Sequence, residues 1–250
     1  MRILWDNKVD QYDPLYSSQQ ADFPAVNVKN IHLSSPWRTV GLSNEYYMID
    51  AGAGQTITSS CAVIAAHNLS SGAIVKIQAH PTNVWTAPDL DQAIAWDAGI
   101  MIVFFAETTK RFWRFYLDDD SNPDGYISIG RFGLGTILQM PPIEPNFNLP
   151  RVSTSRASIS LSGQVYGERG YMFLAPVFAF PLIEQEEKEA INAMWAEVEN
   201  IKPVFLAVWE NSLDVQRPIY CRIDQDKLEW RKVQEGGLLW ELEIAFLEAK

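Results

Sequence analysis

Residues 1–138 hold many short apolar runs broken by turn chemistry, and no long stretch carries apolar residues at helical spacing. That pattern predicts an all-β region. Runs over residues 46–51, 61–66, 73–79, 100–106, 111–117 and 126–132 are separated by Gly52-Ala53-Gly54, by the polar stretch 68–72 and by Asn122-Pro123-Asp124-Gly125. Gly, Asn and Pro at those breaks supply turn conformations that other residues adopt at a cost. Short strands separated this way close into a sandwich or jelly roll.

The run Met140-Pro141-Pro142-Ile143-Glu144-Pro145-Asn146-Phe147-Asn148-Leu149-Pro150 then interrupts the chain. Its prolines remove ladder donors and bias their neighbours to extended geometry, so residues 140–152 read as a linker between domains at 1–139 and 153–250, or as a long internal loop of one domain. A length of 250 residues accommodates one large domain or two modest ones. Beyond the linker, Ala157, Ile159, Leu161, Gly163 and Val165 alternate with Ser158, Ser160, Ser162 and Gln164, which predicts a strand with one buried face. Pro181 opens the predicted helix, with Ile183, Ala190, Ile191, Met194, Trp195 and Val198 on one stripe and Glu184, Glu186, Glu187, Lys188 and Glu197 outside it. Strands are predicted again over residues 203–209, 218–223, 227–233 and 238–247. The fold class expected is mostly β, an N-terminal jelly-roll sandwich followed by a β domain with one α-helix.

Composition limits function. A net charge of −11 repels a phosphate backbone over most of the surface, which argues against sequence-specific nucleic-acid binding. Cys61 and Cys221 stand far apart in strand-like runs, so neither a disulfide framework nor a zinc site is expected. The start, Met1-Arg2-Ile3-Leu4-Trp5-Asp6, reaches an acid before any apolar segment forms, and the longest apolar stretch, residues 99–106, falls short of the roughly 18 residues of a membrane span. A soluble product made in the cytoplasm, without membrane contact, is the expectation.

Chemistry-bearing motifs are sparse. His32, His67 and His80 lack Glu or His at ligand spacing, and a strand-end hydrogen-bonding role is expected of His67. Asp120, Asn122, Asp124 and Gly125 match the opening of an EF-hand loop, but the twelfth position is Arg131 where a bidentate Glu is required, so 118–125 reads as an Asx-rich turn. Gly130, Gly133 and Gly135 lack the spacing of a phosphate cradle and fit close backbone approach or a bulge. No nucleophile elbow and no Cys with a His partner occurs, so no catalytic residue, no metal site and no cofactor is assigned and the chain is read as non-enzymatic. Trp37 in Ser35-Pro36-Trp37-Arg38-Thr39 and Trp85, with Asn83, in Pro81-Thr82-Asn83-Val84-Trp85-Thr86 lie in polar, turn-rich contexts. They are the candidate ligand-binding residues, able to stack on a sugar or anchor an interface; in a chain with 9 Trp the alternative for each Trp is a place in the core.

With these residues in view, the first domain resembles the discoidin-like, galactose-binding-like jelly roll found in tailed-phage proteins. The resemblance rests on an ordered set: residues 27–39 ending Pro36-Trp37-Arg38-Thr39, then Tyr47-Met48-Ile49-Asp50-Ala51-Gly52, residues 63–73, Phe112-Trp113-Arg114-Phe115, and residues 122–131. The second domain is similar in element order to the tail-tube-like ring domain of phage distal tail and baseplate proteins, although here the ring-like domain comes second where those proteins usually place it first. The resemblance implies a structural virion protein of the tail tip, forming a homo-oligomeric, hexameric ring with other tail proteins as neighbours; an acidic ring would repel DNA in passage. The alternative expectation is a carbohydrate-binding module that contacts the host cell surface.

Overall fold

A computed structural model of the chain describes residues 1–145, 147–208, 218–233 and 238–249. Trp209, the end of one predicted strand, and Asn146 of the predicted linker lie outside the described residues. The chain is mostly β and divides into two units, Met1–Gln139 with Val204–Tyr220, and Met140–Pro203 with Cys221–Ala249.

The first unit contains β1 (Arg2–Leu4), β2 (Leu15–Tyr16), β3 (Trp37–Arg38), β4 (Glu45–Asp50), β5 (Ile57–His67), β6 (Ile74–His80), β7 (Leu90–Ala93), β8 (Met101–Lys110), β9 (Phe112–Asp118), β10 (Ser128–Gly135) and β11 (Leu138–Gln139). Two antiparallel sheets, β3-β10-β5-β8 and β2-β4-β9-β6-β7, face each other. From β4 to β10 successive strands pass from one sheet to the other, except across the β6–β7 hairpin, which gives the jelly-roll-like sandwich. The cause is the period-2 pattern: β4 turns Tyr47 and Ile49 inward, β6 turns Val75, Ile77 and Ala79, and β9 turns Trp113, Phe115 and Leu117, all buried. Phe132 of β10 meets them, stacked on Phe115 at 4.3 Å and tilted on Tyr47 at 5.0 Å.

Strand β10 is buried along its whole length, and its glycines are there for close approach. A Cβ on Gly130 would meet the Leu33 carbonyl oxygen at 2.8 Å, and one on Gly135 would meet the Asp6 carbonyl oxygen at 2.4 Å. Buried Asn7 completes the ladder beside it, donating to the Phe132 carbonyl and accepting from the Leu134 amide. Arg131, 2% exposed, braces the entering chain through Asp10 and the carbonyls of Val28 and Asn30.

The second unit contains β12 (Arg151–Ser153), β13 (Arg156–Ile159), β14 (Val165–Glu168), β15 (Met172–Leu174), β16 (Val177–Ile183) and α1 (Gln185–Val198). After β17 (Val204–Ala207) the chain continues through β18 (Ile219–Ile223), β19 (Arg231–Lys232) and β20 (Trp240–Glu248). Strand β20 is the spine, pairing with β16, with β19 and with Cys221–Ile223 of β18. Phe178, Phe180, Ile183, Ile191, Met194, Val198, Leu242, Ile244 and Phe246 are buried. Among the described residues no helix is long and apolar enough to cross a membrane.

Four expectations differ. The helix begins at Gln185 rather than Pro181, because Pro181–Ile183 continue β16 and the Glu187 carboxylate accepts the Glu184 amide at the helix start. Residues 157–165 are not one half-buried strand: Ser160 and Gln164 close a hairpin with Gly163 at φ +80°, and all of β13 and β14 is exposed. The strand expected over 227–233 is reduced to Arg231–Lys232. Residues 204–207, read as part of the second domain, group with the first unit because β17 pairs with β1, Ile3 opposite Leu206.

Candidate functional site

Since β9 turns its odd-numbered residues inward, Arg114 and Tyr116 point out of the sandwich, and the register sets their neighbours. Tyr46 and Lys76 flank Tyr116, while Gln78 lies beside Arg114 with Asp91 beyond it on β7. Gln78, 6% exposed, organises this row. Its Oε1 accepts both Arg114 Nε at 2.9 Å and Nη2 at 2.5 Å, and its Nε2 donates to Asp91 at 2.9 Å.

The connection from β6 to β7 folds over that row. The His80 ring nitrogen Nδ1 accepts the Thr82 amide at one end, and Asp89, ion-paired with Lys110 and 3.7 Å from His80 Nε2, fixes the other. Between these anchors Trp85 donates its indole N–H to Asn83 Oδ1 at 2.6 Å. The Arg114 guanidinium lies 4.3 Å from the Trp85 ring centroid, 5.5 Å from Tyr116 and 5.8 Å from Tyr46. Burial holds the Arg114 pKa below its ordinary value. Burial opposes ionisation of Asp91, but hydrogen bonds from Lys76 and Gln78 bring its carboxyl below the usual range. The outcome is a half-buried platform of three aromatic rings around one guanidinium, with Asn83 and Asp91 exposed at its margin.

The candidate residues therefore part company. Asn83 and Trp85 belong to the platform. Trp37 does not: it is 0% exposed, packs against Tyr47 and Phe132, and gives its indole N–H to the Ser18 carbonyl. The turn-like residues around it hide a short strand, Trp37 opposite Ile129, and a ring sealed by two neighbours has no face for a ligand. Tyr46, Gln78, Arg114 and Tyr116 were missed, although the alternation in Phe112-Trp113-Arg114-Phe115-Tyr116-Leu117 marks 114 and 116 as one face.

The other motifs disperse. Asp119, 2% exposed, accepts the Ser70 amide and hydroxyl and Asn122, whereas Asp120 takes Ser43 and Asp124 takes Asn68. Their oxygens serve separate turn bonds, and among the described residues no group of three His, Cys, Asp or Glu could hold a metal. His67 is a neutral strand-end connector, with Nε2–H donating to the Asp97 carbonyl and Nδ1 accepting the Leu69 amide; burial lowers its pKa. Burial pushes the thiols of Cys61 and Cys221 up, away from thiolate chemistry. A groove of about 660 Å³ in the second unit is lined by Phe180, Pro181, Asp226 and Lys227 among others; its two cations, Lys227 and Arg231, are paired with Glu229 and Glu241, and Glu144, Asp226 and Glu243 leave it acidic.

No family model and no curated protein matches this chain. Among solved structures it is similar to chitosan-binding module 2 of a chitosanase/glucanase from Paenibacillus sp. IK-5, at 19% identity and TM-score 0.38 over 50% of this chain and 95% of that one. It is similar also to the family 32 carbohydrate-binding module of C. perfringens NanJ in complex with galactose, at 12% identity and TM-score 0.41 over 54% and 98%. A fucose-binding module from Streptococcus pneumoniae gives 15% identity and TM-score 0.41 over 52% and 96%.

Proposed function

We propose that the first unit is a non-catalytic glycan-binding module and that its sugar contact is the platform around Trp85. One observation carries this reading: a loop anchored at both ends, by His80 and by Asp89, holds Trp85 and Asn83 over the outward row of Tyr46, Arg114 and Tyr116. Aromatic faces take the C–H side of a sugar ring, while fixed side-chain donors and acceptors read its hydroxyls. Such a site binds and orients, and needs no general acid or nucleophile. The test is a glycan array on the full chain followed by calorimetric titration of the best hit. Trp85→Ala should weaken binding at least about tenfold, the loss expected of a central aromatic anchor. An empty array, or an unchanged affinity for the variant, overturns the reading.

A second reading, that the chain assembles into a ring at a phage tail tip, is favoured by a different feature. In the second unit Ile159, Leu161, Val165, Tyr166, Tyr171 and Met172 are all exposed on the segment running from β13 to β15, an unusual density of apolar side chains in water. Strand edges and apolar side chains of this kind suit pairing with a neighbouring chain. Light scattering across a concentration series tests it: a hexamer or trimer supports assembly, and a persistent monomer even with tail proteins supplied removes it. The two readings are compatible in one protein.

A further inference from the structure

The cations on and beside the outer face of the β2-β4-β9-β6-β7 sheet are partnered with one exception. Arg111 makes a two-point pair with Asp50 at 2.6 and 2.8 Å, Lys76 reaches Asp91 at 3.0 Å, and Lys110 is paired with Asp89. Arg114 lies among them with no carboxylate partner within ion-pair distance among the described residues. Its two bonds, from Nε and Nη2, both end on one neutral oxygen, Gln78 Oε1.

The guanidinium has five N–H donors in a planar fork. Gln78 takes the side edge formed by Nε and Nη2. The end edge, formed by Nη1 and the second hydrogen of Nη2, has no protein acceptor, and Nη1 is not sealed from solvent. A carboxylate matches the spacing of such an edge with two parallel N–H···O bonds. A ligand at this point must also lie against Trp85, Tyr46 or Tyr116, whose rings surround the cation. A free anion would use the charge and leave the rings idle, while a neutral sugar would use the rings and leave the end edge without an ionic partner, Asp91 acting on the guanidinium only from across Gln78.

We infer that the platform selects acidic glycans, the carboxylate of a uronic-acid residue bridging the end edge of Arg114 while the sugar ring lies against the aromatic side chains. This inference rests on the platform being a glycan site, and names the class of sugar. The net charge of −11 sharpens the requirement, because the rest of the surface repels an acidic chain and leaves local pairing at Arg114 to do the holding.

The test uses the full chain with three probes: a galacturonic-acid tetramer, the same tetramer with its carboxyls reduced to alcohols, and sodium acetate. Expected are binding of the acidic tetramer about tenfold or more tighter than its reduced form, weakening as salt rises, with acetate not bound. Arg114→Gln should bring the acidic tetramer down to the affinity of the reduced tetramer measured on the same variant, so that the preference is lost; Arg114→Lys, which keeps charge but loses the fork, should restore only part of it. Thermal melting of each variant separates loss of binding from loss of fold. Equal binding of both tetramers overturns the acidic preference and leaves the glycan reading standing. A preference that survives Arg114→Gln also overturns the assignment to Arg114, and failure of every tetramer in this series together with an empty glycan array overturns both.

Discussion

Two regions carry the same alternating pattern and meet opposite fates. In β9, Trp113, Phe115 and Leu117 are 1%, 2% and 0% exposed, whereas Ile159, Leu161 and Val165 in the 156–168 hairpin are 74%, 111% and 69% exposed. Period two specifies a strand whose side chains divide between faces, and says nothing about whether either face is covered. Covering requires a second sheet. Strand β9 has one, supplied by β10 and β5, while among the described residues β13 and β14 pair only with each other. The polar face also differs: on β9 it holds the ordered polar and aromatic row of the platform, and on the hairpin, where both faces are open, it holds serines, Arg156 and Tyr166.

Three changes bear on that contrast. Trp113→Ala should be the most damaging, costing about 3–5 kcal/mol through the cavity left in the sandwich, read as a lower first-unit transition in thermal or urea unfolding. A near-normal transition would mean that the two sheets do not depend on each other as described. Acidification comes next and acts on the covered region. The half-buried His67 has a pKa below the unfolded value of 6.5, so the unfolded chain binds the extra proton more readily. Its contribution to stability is complete above pH 6.5 and is lost as pH falls through the lower folded value. His67→Gln should flatten that part of the stability profile, and an unaltered slope would remove His67 as its source. Smallest is Leu161→Ser, expected to shift unfolding by no more than about 0.5 kcal/mol because nothing covers the side chain. A large loss of stability there would show that a partner surface buries the hairpin in solution.

Much of the platform was legible in the chain, although unevenly. Asn83 and Trp85 stood out because a tryptophan among turn residues is conspicuous, and Trp37 stood out for the same reason and was core. The two are separated by what surrounds them: Trp37-Arg38 pairs with β10 and the Trp37 ring packs on Tyr47 and Phe132, while Trp85 sits on a loop with one guanidinium against it. Arg114 drew no attention, since an arginine between aromatic residues reads as an ordinary outward position until register brings Gln78 and Tyr46 beside it.

The sequence by itself determined the mostly β class, six of the nine strands of the sandwich (β4, β5, β6, β8, β9 and β10) to within about four residues at their ends, the buried stripe Ile191, Met194 and Val198 of α1, and the tight-approach role of the glycines in β10. These follow from local periodicity, turn chemistry and the space one side chain occupies. Tertiary structure alone decided that β17 pairs with β1, that the 156–168 hairpin stands uncovered, and that residues 46, 78, 85 and 114 converge. Contacts between segments so distant in sequence depend on strand register and sheet pairing, which no local pattern encodes.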